Sequence, residues 1–255
     1  MSNPVYQFVG SRIPYHYFFS KGHGTSNYAH EAGSYDSALK QAGIENYNII
    51  QYTSVIPPQS REIEKKHFKQ YLAKMAPHGA VLECIMSTAH GLANETVVTG
   101  LMTGHIYDKA KKEYLGGYAV EYMQTYPMKI SKDAAAENCA KTLLYDMSGV
   151  MERRHFGKLV FSSDENDDSN IKSNTQKLKT KNIVKKLLVN DKTLKIDIHG
   201  MKGKFEWHLH NFQFDYLYIK NAKYGTSICC MGFVDFLYPF FQKVALAPNG
   251  NIHSY

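Results

Sequence analysis

Tryptophan is almost missing from this chain, with one residue in 255, and only four cysteines and eight prolines occur. Cys84, Cys139, Cys229 and Cys230 lack the paired spacing of a zinc site, and neighbours such as Cys229-Cys230 point to opposite faces of a strand. They read as buried, reduced thiols, so neither a disulfide scaffold nor a metal knuckle is expected. No run of about 18 apolar residues occurs, and Met1 to Gly10 has no basic stretch leading into an apolar one. These absences argue against a helical membrane span and a secretory leader, and the chain reads as soluble and cytoplasmic with no membrane partner.

What the chain has in quantity is tyrosine and phenylalanine, 19 and 13 residues, and aromatics interleaved with Val and Ile favour strands. A chain of this length buries a core unaided, as one large domain or two small ones, and the expected class is a sheet-rich α/β or α+β protein. The formal charge of +7 is local: Lys172 to Lys204 holds ten lysines against Asp191 and Asp197. With Asp164-Glu165-Asn166-Asp167-Asp168 ahead of it, the stretch buries little. Residues 157–204 read as a flexible insert with a short hairpin across Leu194 to Phe205. It lacks the interleaved aromatics of a nucleic-acid surface, so it reads as solvated lysines.

Before the insert, Val5 to Phe19 reads as short strands broken by Gly10 and Pro14. Lys21-Gly22-His23-Gly24-Thr25-Ser26 reads as a glycine-containing loop that lacks the Gly-Lys-Ser/Thr ending of a phosphate cradle. Ser34 is the expected N-cap of a helix running to Gln41, with Asp36 in its first turn and Gly43 as its stop. Three strand-like runs follow at Gly79 to Met86, Glu95 to Tyr107 and Tyr114 to Tyr126. Ser131 to Arg154 carries a helix, with Cys139, Leu143 and Met147 on one stripe. Trp207 to Lys220 and Ser227 to Phe236 return to strand.

Asn46 to Pro58 is a strand that ends at Ser54, Val55 and Ile56 and is stopped by Pro57-Pro58. Three residues invite a chemical reading: Ser54; Glu121, set among apolar and aromatic neighbours where a carboxylate needs a partner or a raised pKa; and Asp36. Each has a plain structural alternative: a strand stop, a carboxylate facing solvent, a favourable helix charge. His208-Leu209-His210 puts two imidazoles on one face, but with no third ligand in sequence they read as surface or core histidines.

Tyr35-Asp36-Ser37-Ala38-Leu39, Ala42 to Ile50 and Thr53-Ser54-Val55-Ile56-Pro57-Pro58 together resemble the pyruvoyl-dependent arginine decarboxylases, most nearly the chlamydial-type branch, where Thr precedes the processed Ser. The likeness continues through His78 to Glu83, Gly116-Gly117 to Glu121-Tyr122, Lys223-Tyr224-Gly225 and Gly232-Phe233, leaving out roughly residues 157–204 and the end beyond Phe240.

The resemblance implies a single α+β domain over residues 1–255, a four-layer αββα sandwich, assembled as trimers or multiples with active sites between neighbours. It implies that Ser54 attacks the Thr53 carbonyl, and that the chain splits into 1–53 and 54–255, the latter opening with a covalent pyruvoyl group. By position, Asn48 steadies the oxyanion of that cleavage, Glu121 donates a proton to the substrate α-carbon, and Asp36 binds its guanidinium. The implied reaction takes L-arginine to agmatine and carbon dioxide with no metal or PLP, consuming a proton in the service of acid resistance or polyamine supply. Two alternatives stay open: another basic amino acid as substrate, or a silent homologue whose basic insert docks to an acidic partner.

Overall fold

The computed structural model describes residues 11–28, 30–63, 67, 70, 78–156, 194–197 and 205–239. Its strands form two five-stranded sheets, stacked face to face, and one small two-stranded pair. In the first sheet, β3 (Asn48–Gln51), β6 (Val81–Leu92), β11 (Tyr224–Phe233), β2 (His16–Ser26) and β5 (Arg61–Glu62) lie in that order. In the second, the order is β4 (Val55–Ile56), β8 (Glu113–Tyr126), β7 (Thr96–Asp108), β10 (Phe205–Tyr218) and β9 (Leu194–Asp197). The small pair joins β1 (Ile13–Pro14) to β12 (Phe236–Leu237).

Period-two alternation sorts each strand's side chains between two cores. Leu82, Cys84, Ile228 and Cys230 face outward from the first sheet onto helix α1 (Ala32–Ala42), packing with Phe18, Leu39 and Ile44. Ile85, Cys229, Met231 and Phe233 face inward, meeting Ile56, Leu101 and Ala119 of the second sheet. The outer face of that sheet, with Met102, Ile106, Trp207 and Leu209, is covered by helix α2 (Lys132–Met151) through Cys139, Leu143 and Met147. The layers are helix, sheet, sheet, helix, the αββα sandwich expected. Cys229 and Cys230 fall in different cores, and all four thiols are buried and free.

Helix α2 matches its sequence signals, with the Ser131 side chain accepting from the Ala134 N–H at 3.2 Å. Helix α1 corrects two expectations. It begins at Ala32, so Ser34 lies inside it, buried, its hydroxyl donating to the Glu31 carbonyl at 2.7 Å. Asp36 therefore sits beyond the first turn, exposed on the helix. Gly43 does end the helix in the left-handed region, at φ 75°. A third correction concerns Lys21 to Ser26, which is no loop but the second half of β2. Its glycines lowered the strand signal because they answer to packing: a Cβ on Gly22 would lie 2.7 Å from the Ala42 nitrogen of α1.

Leu194 to Phe205 does contribute the strands of a hairpin, β9 pairing antiparallel with the start of β10. Its turn, and the flexibility expected of residues 157–193, lie outside the described residues. No helix among the described residues is long and apolar enough to cross a membrane.

Candidate active site

Strand β3 runs parallel to β6, from Asn48 opposite Val81 to Gln51 opposite Cys84, and the Tyr52 N–H extends the ladder by donating to the Cys84 carbonyl at 2.7 Å. Two residues later the chain belongs to the other sheet. The Ser54 carbonyl accepts from the Ala119 N–H at 2.8 Å, and Val55 and Ile56 pair with Tyr118 and Gly117 of β8. The Thr53–Ser54 peptide is thus the crossing between two sheets, pinned on both sides. Thr53 is exposed and Ser54 half-buried.

At the crossing the chain turns tightly. The Val55 N–H donates to the Thr53 carbonyl at 3.0 Å, closing a three-residue turn centred on Ser54. The carbonyl next to the serine therefore already holds one backbone donor. Beyond Ile56, Pro57-Pro58 passes close to Gly116, whose φ of +98° excludes a side chain. A Cβ there would lie 2.7 Å from the Ile56 carbonyl oxygen.

Glu121 stands two residues along β8 from Ala119 and opposite Leu101 of β7. It therefore shares the face that Ala119 and Leu101 turn toward the first sheet, about 7 Å along the strand from the residue that holds Ser54. Burial on that face pushes its carboxyl pKa above the ordinary value.

The single chain does not bring the other two expected residues to this place. Asp36 is exposed on α1, which packs on the opposite side of the first sheet from the inter-sheet layer. Asn48 begins β3, with the length of that strand between it and Thr53, and its side-chain amide donates to the Gly79 carbonyl at 2.8 Å.

Three residues that sequence reasoning passed over lie beside the crossing. Glu83, on the inward face of β6 and 2 % exposed, accepts from the Tyr52 hydroxyl and forms an ion pair with Arg12. The Tyr52 ring lies 5.9 Å from that of Phe233, and the Arg12 guanidinium sits 4.9 Å over the Phe236 ring. A signal was present: Glu83 is a lone carboxylate inside Ala80-Val81-Leu82-Glu83-Cys84-Ile85-Met86. Its partners, 71 and 31 positions away, were not legible.

The histidine pair does share a face, but each ring has its own carboxylate. His208 Nε2 is 3.0 Å from Glu206 and His210 Nε2 is 2.9 Å from Glu62. His105 stacks 4.8 Å from His210, and burial together with these two neighbouring imidazoles pushes its pKa down to about 3. No group of three ligands able to hold a metal occurs among the described residues.

Comparison with known proteins places the chain. A family profile described as pyruvoyl-dependent arginine decarboxylase (PvlArgDC) matches residues 16–237. The chain is similar to the pyruvoyl-dependent arginine decarboxylase AaxB of Chlamydia abortus, 39 % identical over 150 residues that cover 53 % of this chain and 71 % of that protein. It is 38 % identical over 163 residues to the AaxB of Chlamydia pneumoniae, covering 58 % of this chain and 79 % of that one. An archaeal relative, pyruvoyl-dependent arginine decarboxylase 2 of Archaeoglobus fulgidus, is 27 % identical over 136 residues, 53 % of this chain and 76 % of that one. With the sandwich, the suspended Thr53–Ser54 peptide and these matches together, the chain belongs to the pyruvoyl-dependent arginine decarboxylase family.

Proposed function

We propose that this chain cuts itself between Thr53 and Ser54 and then converts L-arginine to agmatine and carbon dioxide. The observation that carries the reading is the crossing: one peptide held by the first sheet at Tyr52 and by the second at Ser54, with its acyl oxygen already accepting the Val55 N–H. Ser54 Oγ attacks the Thr53 carbonyl carbon, moving the acyl group from nitrogen to oxygen. The ester then loses the Ser54 Cα proton and releases Thr53 as a carboxylate. One water enters and one ammonia leaves, so the large chain begins with a pyruvoyl group.

The surrounding residues fit that group. The Ser54 carbonyl, which would become the carbonyl beside the ketone of that group, is held by the Ala119 N–H, and the strand face beyond carries Leu101 and Glu121. The pyruvoyl group supplies an electron sink for the bond pair released as carbon dioxide leaves. Glu121, which burial keeps protonated to higher pH than a free glutamate, delivers the proton to the α-carbon. Asp36 pairs with the guanidinium of arginine, and Asn48 supports the cleavage, each reaching a site shared with an adjoining copy of this chain. Ile50, Val55 and Val81 support such a shared site. These apolar side chains of β3, β4 and β6 are 46 %, 48 % and 51 % exposed, and a neighbouring protomer in a trimer covers them.

A mass spectrum of the purified protein tests the reading. Two chains, residues 1–53 and 54–255 with the second blocked at its N-terminus, are expected; an intact 29.0 kDa chain under all conditions sinks it. Carbon dioxide release measured on arginine, lysine, ornithine and histidine then identifies the substrate, with turnover of arginine lost in Asp36→Ala while cleavage persists.

A further inference from the structure

We propose that Glu83 is a positioning residue for self-cleavage, fixing the acyl side of the Thr53–Ser54 bond through Tyr52. The inference rests on the self-cleavage reading above and adds to it the group that aims the bond. A carboxylate at 2 % exposure is held only if its charge is met, and the two partners that meet it are the Tyr52 hydroxyl and the Arg12 guanidinium. Tyr52 is the last residue bonded to the first sheet, through its own N–H to the Cys84 carbonyl. Its side chain is therefore anchored on the same strand, one residue away from its backbone anchor. Two bonds to β6 leave Tyr52 little freedom to turn about its axis, and the direction of the Thr53 carbonyl follows from that of the residue before it.

The second sheet fixes the other side of the bond at Ser54 and Val55, and nothing among the described hydrogen bonds holds Thr53 except the turn itself. The attack of Ser54 Oγ on the Thr53 carbonyl needs both halves in register, since small misplacements of reacting groups cost orders of magnitude in rate. After the cut the same carboxylate has a second consequence. Arg12 and Tyr52 then belong to the small chain and Glu83 to the large one, so Glu83 grips the small chain near its new C-terminus and near the start of β1.

The test follows conversion of freshly made precursor into two chains by denaturing gel and mass spectrometry. Tyr52→Phe, which removes one hydroxyl and keeps the ring against Phe233, is expected to slow conversion by about tenfold or more, the scale of a hydrogen bond to a charged group. Glu83→Gln, whose amide oxygen still accepts that hydroxyl, recovers part of the rate lost in Glu83→Ala. Thermal melting is measured in parallel in a Ser54→Ala background, which cannot cleave. There Tyr52→Phe leaves a cooperative transition far above the temperature at which conversion is slow.

Conversion of Tyr52→Phe at the wild-type rate overturns the proposal while leaving self-cleavage standing. A slowing seen only where the uncleavable variant has begun to melt also overturns it. A wild-type chain that stays intact overturns both.

Discussion

Burial raises the carboxyl pKa of Glu121 and of Asp146 among the described residues, but only Glu121 lies on the inter-sheet face beside the residue that holds Ser54. Desolvation is its sole cause, with no charged partner to draw the value back. In the folded protein Glu121 therefore holds its proton at a pH where the unfolded chain has released it. Stability linked to this residue is then full below the ordinary glutamate range and is lost as pH rises through the shifted value. Glu121→Gln removes the linkage. The melting temperature of the variant, measured against wild type across pH, should gain on wild type as pH rises. Turnover tracks the same proton: wild-type activity falls through the raised pKa, and Glu121→Gln loses about 10²–10⁴-fold while cleavage at Ser54 continues. A variant whose melting difference stays flat with pH would remove burial as the cause.

Each helix of the sandwich lies over a pair of glycines in the sheet below it. Gly22 and Gly24 of β2 lie under α1, and Gly100 and Gly104 of β7 lie under α2. The close approach is alike in the two layers but the neighbours differ. A Cβ at Gly22 meets helix backbone, 2.7 Å from the Ala42 nitrogen, whereas one at Gly104 meets the flexible thioether of Met147, also at 2.7 Å. Backbone cannot give way and a methionine can. Gly22→Ala is therefore expected to destabilise by about 1–3 kcal/mol or more, and Gly104→Ala by clearly less, read from urea midpoints at unchanged slope. The same glycines explain what was legible in the sequence. Strands β7, β8, β10 and β11, the first half of β6 and helix α2 announced themselves by alternation, turn residues and the Ser131 cap, because local pattern and tertiary role agree there. Lys21 to Ser26 read as a loop, because a glycine kept small for a helix above it looks in sequence like a glycine kept flexible. Ser34 read as a cap, because a serine that bonds back to the preceding turn has the same composition as one that starts a helix. At the candidate site, Ser54 and Glu121 drew a chemical reading from the sequence, and the fold brings them to one inter-sheet layer. Tyr52 and Arg12 were not, since their meaning comes only through Glu83 across the fold.

At the scale of the whole molecule, the position of the proposed cut would set how the two chains stay together. The small chain would hold β1, β2, α1 and β3. None of its described strands pairs with another of its own. β2 bonds to β11 from Tyr17 opposite Phe233 to Ser26 opposite Tyr224, and on its other side to β5; β3 bonds to β6; β1 bonds to β12. Every one of those partners lies after Ser54. Among the described residues the small chain thus has no sheet without the large one, and the large chain without it would expose both flanks of β6–β11 together with the apolar face that α1 covers. The proposed cleavage would open one peptide bond but free none of the described strands. Residues 1–53 made alone should be unfolded by circular dichroism, since a single helix of 11 residues and unpaired strands are marginal in water. Cleaved protein should pass through native gel filtration as one peak containing both chains in equal number, and part only in denaturant. Removing the denaturant from the mixture should restore the peak. Recovery of the large chain alone in a folded, monodisperse peak would contradict this, because it would require β6 and β11 to stand with neither of the strands that flank them.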